Sequence, residues 1–400
     1  MHQKCFSAAG GRLLGLSLLA ATAYDARAVS FRLPNQDPEA IARGNAFVAT
    51  ADNPSAIYYN PAGITQIEGQ QVRVGGYFVS ANTKFTGASG TAHTDTTLQP
   101  VPQIYYVFTP QDSQFSYGLG VYAPYGLALD WGDNNPFSTL AQNGKVLYAT
   151  VNPVVAWKPF STFSIAVGPT INYSQAKFER GIGLGPGDQF RFKGDGWDFG
   201  FNAGLLWKPC EKWAIGANYR YVTDVNYEGH SEFYPYAPRT QTSGSIRYPQ
   251  FAVGGISFRP TENWNIEIDI DWTDWDNVNR VDFKGTAFPI PPFELNYRSS
   301  LMYEFGVTRK LPHGYFVSAG YFFSENSSPD QYFNPIVPDS DLHLGSIGFG
   351  HKGKRWDWAA AYHFGYNGSG RVVKGSPGGL ADGRYETFNS AFNLAATFKF

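Results

Sequence analysis

The sequence predicts an all-β chain: a transmembrane antiparallel β-barrel of about fourteen strands, with its N-terminal segment folded inside as a plug. Three observations predict it. The composition is rich in aromatics and poor in charge, several stretches alternate strictly in polarity, and short connections exchange regularly with long ones.

Composition bounds the class. Aromatics make up 17% of the 400 residues and charged residues only 16%, against a usual charged share of roughly 25%. The net charge of -2 gives no reason to expect nucleic acid or another polyanion as partner. Residues 1–28 read as an export leader. Lys4 and Arg12 supply positive charge, Leu13 to Ala23 is apolar, and Ala26-Arg27-Ala28 is a small-x-small cleavage site. Beyond it no apolar run approaches the ~18 residues of a spanning helix, which excludes a helical membrane protein. With the leader removed, Cys210 is the single cysteine, so neither an internal disulfide nor a cysteine metal site is expected to staple the fold.

Alternation identifies the strands. In Trp264 to Trp272, Trp264, Ile266, Ile268, Ile270 and Trp272 share one face, and Asn265, Glu267, Asp269 and Asp271 share the other. At ~3.4 Å per residue and ~40° of tilt the stretch rises roughly 21 Å, close to the ~25 Å apolar band of a membrane barrel, with a tryptophan at each edge. Trp213 to Val222, Trp356 to Tyr366 and Phe388 to Phe400 repeat the pattern. Short turns fall at Thr109-Pro110, Lys158-Pro159, Lys208-Pro209, Arg259-Pro260, Leu311-Pro312 and Lys352 to Arg355. Long segments lie near 86–97, 130–145, 181–190, 230–243, 277–297, 324–341 and 367–386. Short periplasmic turns and long extracellular loops alternate in this way around an outer-membrane barrel.

Residues 29–70 lack alternation and hold Asn53-Pro54 and Asn60-Pro61. They read as a plug or a periplasmic appendage, which leaves residues 71–400 for the barrel. The third strand, Phe115 to Leu129, contains Ala123-Pro124-Tyr125-Gly126 in its middle. Pro124 lacks an N–H and Gly126 relaxes the backbone, so this strand is expected either to open locally or to bulge.

With these elements placed, the chain resembles the FadL-type transporters of long-chain fatty acids and hydrocarbons. The resemblance rests on Asn60-Pro61-Ala62, preceded by A-R-G-N-A and A-D-N-P-S-A. It extends to Tyr125-Gly126-Leu127, Trp197 to Leu206, Trp272-Thr273-Asp274-Trp275 and Val337-Pro338-Asp339. It implies a fourteen-stranded barrel closed by a hatch, in the outer membrane of a Gram-negative bacterium. A hydrophobic substrate would be captured outside and released sideways into the outer-membrane lipids at the third-strand kink. Asn60 would hold the hatch against the kink, with Pro61 stiffening the turn, and Phe31 would contact ligand or simply pack the plug. Arg180 matches a position that meets a fatty-acid carboxylate. The second cationic position falls near Phe293, with Arg298 the nearest replacement. That departure leaves room for neutral hydrocarbons beside the leading expectation of fatty acids. A monomer without cofactor or metal is expected.

An outer-membrane enzyme is disfavoured. His93, His230, His313, His343, His351 and His363 form no metal or nucleophile motif, and loop polarity accounts for Asp339-Ser340-Asp341 beside His343. A general porin is disfavoured by the forty residues spent on a plug.

Overall fold

The computed structural model describes residues 30–96 and 98–400, so the predicted leader and its cleavage site lie outside it. Among the described residues fourteen antiparallel strands close into a barrel. They are β1 (Gly69–Gly87), β2 (Gln99–Thr109), β3 (Phe115–Tyr122 resuming at Gly126–Asp130), β4 (Asn143–Phe160), β5 (Phe163–Arg180), β6 (Gln189–Cys210), β7 (Trp213–Arg220 and Thr223–Tyr234) and β8 (Ala237–Tyr248 and Phe251–Phe258). The wall continues with β9 (Trp264–Thr273), β10 (Ser300–Lys310), β11 (Tyr315–Ser324), β12 (Leu342–Lys352), β13 (Trp356–Tyr366) and β14 (Gly383–Lys399). Pairing of β1 with β14, from Gln71↔Lys399 to Thr86↔Arg384, closes the ring. Closure pairs the first strand with the last, so the sheet has no free edge strand in lipid.

The alternation sorts side chains as the sequence predicts. In β9, Trp264, Ile268 and Ile270 are exposed on the outer surface, while Asn265, Glu267, Asp269 and Asp271 are buried inside. No helix among the described residues is long and apolar enough to cross a membrane.

One expectation is corrected. Residues 230–243 are not a loop: β7 and β8 run through them as a hairpin around Pro235-Tyr236. These strands extend past the apolar band, so their outer faces are polar and their alternation is masked. The expectation for Cys210 turns on residues outside those described.

The barrel is filled by the N-terminal segment. Residues 34–51 are buried throughout, in a path through the short helix α1 (Pro38–Ile41) that continues to α2 (Ala56–Tyr59) and a 3-10 turn (Pro61–Gln66). Inward glycines make the room. A Cβ on Gly320 of β11 would lie 2.0 Å from the Arg43 carbonyl carbon, and one on Gly306 of β10 would lie 2.5 Å from Arg43 Cβ. Both strands must be bare there for the segment to touch the wall.

Candidate functional site

The acidic face of β9 holds the segment from one side. Asp269 accepts the backbone N–H groups of Phe47 (2.8 Å) and Val48 (2.9 Å). Glu267 accepts those of Ala49 (2.7 Å) and Thr50 (3.2 Å) and pairs with Arg43 at 3.0 Å. Asp271 pairs with Arg32 at 2.6 Å. Three carboxylates at two-residue spacing therefore face one side of the lumen and grip backbone and guanidinium groups that would otherwise be buried unpaired. Across the lumen, Arg73 of β1 pairs with Asp37 (2.5 Å) and Glu39 (3.1 Å), and Lys352 reaches Glu39 at 2.7 Å.

Between these anchors the wall is interrupted. The β2–β3 ladder ends at Ile104↔Val121. On its other side β3 stays paired with β4, but Tyr122↔Thr150 is followed by Gly126↔Leu147, so three residues of β3 stand against two. That is a bulge, as Pro124 requires. Above the break, β2 carries prolines at Pro100 and Pro102. Val101 is paired with Tyr77 of β1, so the two proline nitrogens face the seam, and β2 offers no donor there.

The N-terminal segment occupies the opening. Leu33 N–H donates to Pro124 O (2.8 Å) and Gly126 N–H to Phe31 O (3.0 Å), an antiparallel bridge centred on Arg32↔Tyr125. Gln36 Nε2 donates to Ala123 O at 2.7 Å. The Asp95 N–H bonds Asp130 O at 2.8 Å and closes the top of the window. Leu33 is partly exposed, unlike the buried residues on either side of it.

Directly behind the window lies an apolar cavity, lined by Phe31, Leu127, Phe178, Phe283, Ile336 and Val337 among others. The hydroxyls of Tyr227 and Tyr248 on its wall bond each other at 2.6 Å, and Ser174 is within 2.7 Å of Tyr227. Phe31 belongs to both cavity and window. Its ring stands edge-on to Trp275 at 4.8 Å and Tyr248 at 5.7 Å.

The residue before it ties the segment to an outer loop. Ser30 N–H donates to Asp339 Oδ1 at 3.0 Å, and Ser327 donates its N–H (2.7 Å) and hydroxyl (2.8 Å) to Asp339 Oδ2. Burial pushes the Asp339 carboxyl up to about 6, against the pull of these donors. A carboxyl raised in the folded chain contributes stability that is complete below its unfolded value near 4 and is lost as pH rises through about 6. Between pH 7 and 5, therefore, Asp339 is expected to take up a proton, which relieves the cost of burying its charge. Protection of residues 30–33 against hydrogen exchange, corrected for the intrinsic fall of the exchange rate with pH, should rise on acidification with a midpoint near pH 6, and Asp339→Asn should abolish that midpoint.

The sequence-predicted residues divide. Phe31, Ala123, Pro124, Tyr125 and Gly126 meet at the window. Asn60 does not hold the segment against the kink: its Nδ2 donates to Val48 O (2.7 Å) and Leu205 O of β6 (2.9 Å), and its Oδ1 caps the Ala62 N–H (3.2 Å). It sits where Gly204 leaves space, since a Cβ there would lie 2.4 Å from Asn60 Oδ1 and 2.7 Å from Pro61. Arg180 and Arg298 do not line the cavity. Arg180 lies over the Phe293 ring at 5.0 Å, and Arg298 is exposed. Missed by sequence reasoning were the clamp of Glu267, Asp269, Asp271 and Arg73, and the paired prolines of β2, whose signal is Gln99-Pro100-Val101-Pro102-Gln103.

A family model described as "Outer membrane protein transport protein (OMPP1/FadL/TodX)" matches residues 19–398. The chain belongs to this family. Among relatives of the FadL/TodX chain, a "47 kDa outer membrane protein" of Pasteurella multocida is 25% identical over 83% of this chain and 86% of its own length. A "Long-chain fatty acid transport protein" of Salmonella typhi is 23% identical over 87% and 89%. Of solved structures, a Pseudomonas aeruginosa FadL homologue superimposes with TM-score 0.82 at 19% identity, covering 93% of this chain and 100% of the other. The Ralstonia pickettii toluene transporter TbuX gives TM-score 0.73 at 16%, covering 92% and 99%. As a FadL/TodX member with a closed barrel, the chain is an outer-membrane transporter of hydrophobic compounds.

Proposed function

We propose that a hydrophobic molecule enters the cavity from the outer face, displaces residues 30–36, and leaves sideways through the β2–β3 window into the outer leaflet. The carrying observation is that Phe31 both lines the cavity and bonds the strand at the window, so the segment stands between the two. Apolar burial at ~25 cal/mol per Å² drives entry, and binding that favours the displaced segment shifts the equilibrium toward it.

Neutral hydrocarbons suit this lining best, because the polar atoms of Tyr227 and Tyr248 are already engaged and the Arg180 guanidinium is taken up by Phe293. A second reading, fatty acids, is favoured by Lys145 and Lys177 at the cavity's edge. Mass spectrometry of ligand carried through mild-detergent purification separates the two. Asn60, Pro61 and Ala62 support the path indirectly, by fixing the segment to β6.

A tether tests the route. Arg32 and Tyr125 are a directly opposed pair without mutual backbone bonds, the spacing a disulfide accepts. Arg32→Cys/Tyr125→Cys, in a Cys210→Ser background, is expected to stop uptake of toluene and oleate when oxidised and restore it on reduction. Equal uptake in both states by a correctly inserted barrel would overturn the lateral route.

A further inference from the structure

Each short-turn connection except one presents unpaired positive charge. Lys158 stands at the β4–β5 turn, Lys208 and Lys212 at β6–β7, Arg259 at β8–β9, Arg309 and Lys310 at β10–β11, and Lys354 and Arg355 at β12–β13. None of these eight is in an ion pair among the described residues, and the facing acids on these turns and on the segment's end are only Asp112, Glu211, Glu262, Asp52 and Glu68. Toward the opposite rim some cations are paired, Lys177 with Glu179 (3.0 Å), Arg247 with Asp224 (3.0 Å), Arg280 with Asp282 (2.7 Å) and Arg371 with Asp330 (2.5 Å), while others, such as Lys145, Lys193, Lys284 and Lys374, are in no ion pair among the described residues. In a chain of net charge -2, the short-turn end stands out because its eight unpaired cations outnumber the five facing acids.

The unmatched cations lie at a definite depth. Each turn adjoins outward rings, namely Trp157, Trp213, Trp264, Tyr315 and Trp356, and the Arg309 guanidinium lies 5.2 Å from the centre of the Trp264 ring. Outward aromatics at a barrel rim mark the headgroup level, and the short-turn end is the periplasmic one. Lipid phosphates occupy that depth.

We propose that this rim binds the headgroups of anionic phospholipids in the inner leaflet. An acidic soluble protein is the competing occupant. Spread over five turns and adjoining girdle rings, the charge fits a lipid annulus better than a single docking patch. The exception is the β2–β3 turn, which carries Asp112 and no cation. The ring is therefore open directly below the window. This inference does not depend on the route of transport.

The test uses the full barrel in nanodiscs of mixed phosphatidylethanolamine and phosphatidylglycerol, with retained lipid counted by native mass spectrometry. A cation at an anionic surface is worth about fivefold in lipid occupancy. Wild type should retain phosphatidylglycerol above its bulk share. The exposed-residue variant Lys212→Gln/Arg309→Gln/Lys310→Gln/Lys354→Gln/Arg355→Gln should lose at least tenfold of that excess. Neutralising Lys84, Lys177, Arg191, Arg247 and Arg280 on the other rim should leave it intact. Mobility of unboiled protein on a gel verifies folding of both variants, and raised salt on wild type repeats the test without mutation. Bulk lipid ratios in wild type, unchanged retention in the rim variant, or salt-sensitive capture of an acidic protein with bulk lipid ratios would each overturn the proposal.

Discussion

Glu267→Ala is expected to release the lumenal segment while leaving the barrel standing. Glu267 is fully buried and serves two backbone N–H groups, the Thr50 hydroxyl and the Arg43 guanidinium. Its loss leaves Arg43 buried without its partner, a penalty of about 3–5 kcal/mol, with a further ~1–3 kcal/mol for each orphaned N–H. The wall is unaffected, because the ladders of β9 with β8 and β10 are made by backbone groups alone. Planar-bilayer recordings should then show a steady conductance, and protease added from the periplasmic side should cut within residues 30–68. A closed, protease-resistant Glu267→Ala protein would show that β9 does not anchor the segment.

The opposite wall yields the second large effect. Arg73→Met strips Asp37 of its partner where both side chains are about 1% exposed, and breaking such a pair costs about 3–5 kcal/mol. Replacing both, as Arg73→Met/Asp37→Leu, removes the stranded charge and should recover most of the loss, with Lys352 still neutralising Glu39. The readout is the temperature at which the compact gel band disappears. Equal destabilisation of single and double variants would mean that the stranded carboxylate is not the cause.

The barrel was legible because its physics is local. Lipid outside and a polar lumen inside impose a two-residue period that Trp264 to Trp272 displays without help from tertiary context. Residues 230–243 were misread for the same reason, since strands standing in water on their outer face need no such period. At the site, Pro124 announced a break by its missing N–H, but nothing local said that residues 31–33 would supply the lost partners across ninety positions of chain. Asn60 was assigned to the wrong wall because a hydrogen-bonding residue in a turn declares what it can do and not which strand will face it. The acids of β9 were visible as a buried row. Their purpose became clear only when the groups at 43–50 were seen to need acceptors.

Pro100 and Pro102 also bear on how long any opening would last. With no donors on β2 along the seam, the wall cannot heal by zipping its own strands together. The Pro124 carbonyl and the Gly126 amide then recover their bonds only when residues 31–33 return, and each unsatisfied group in hydrocarbon costs several kcal/mol. The breach is thus inherently short-lived, a sprung door whose closer is the lumenal segment and not the frame.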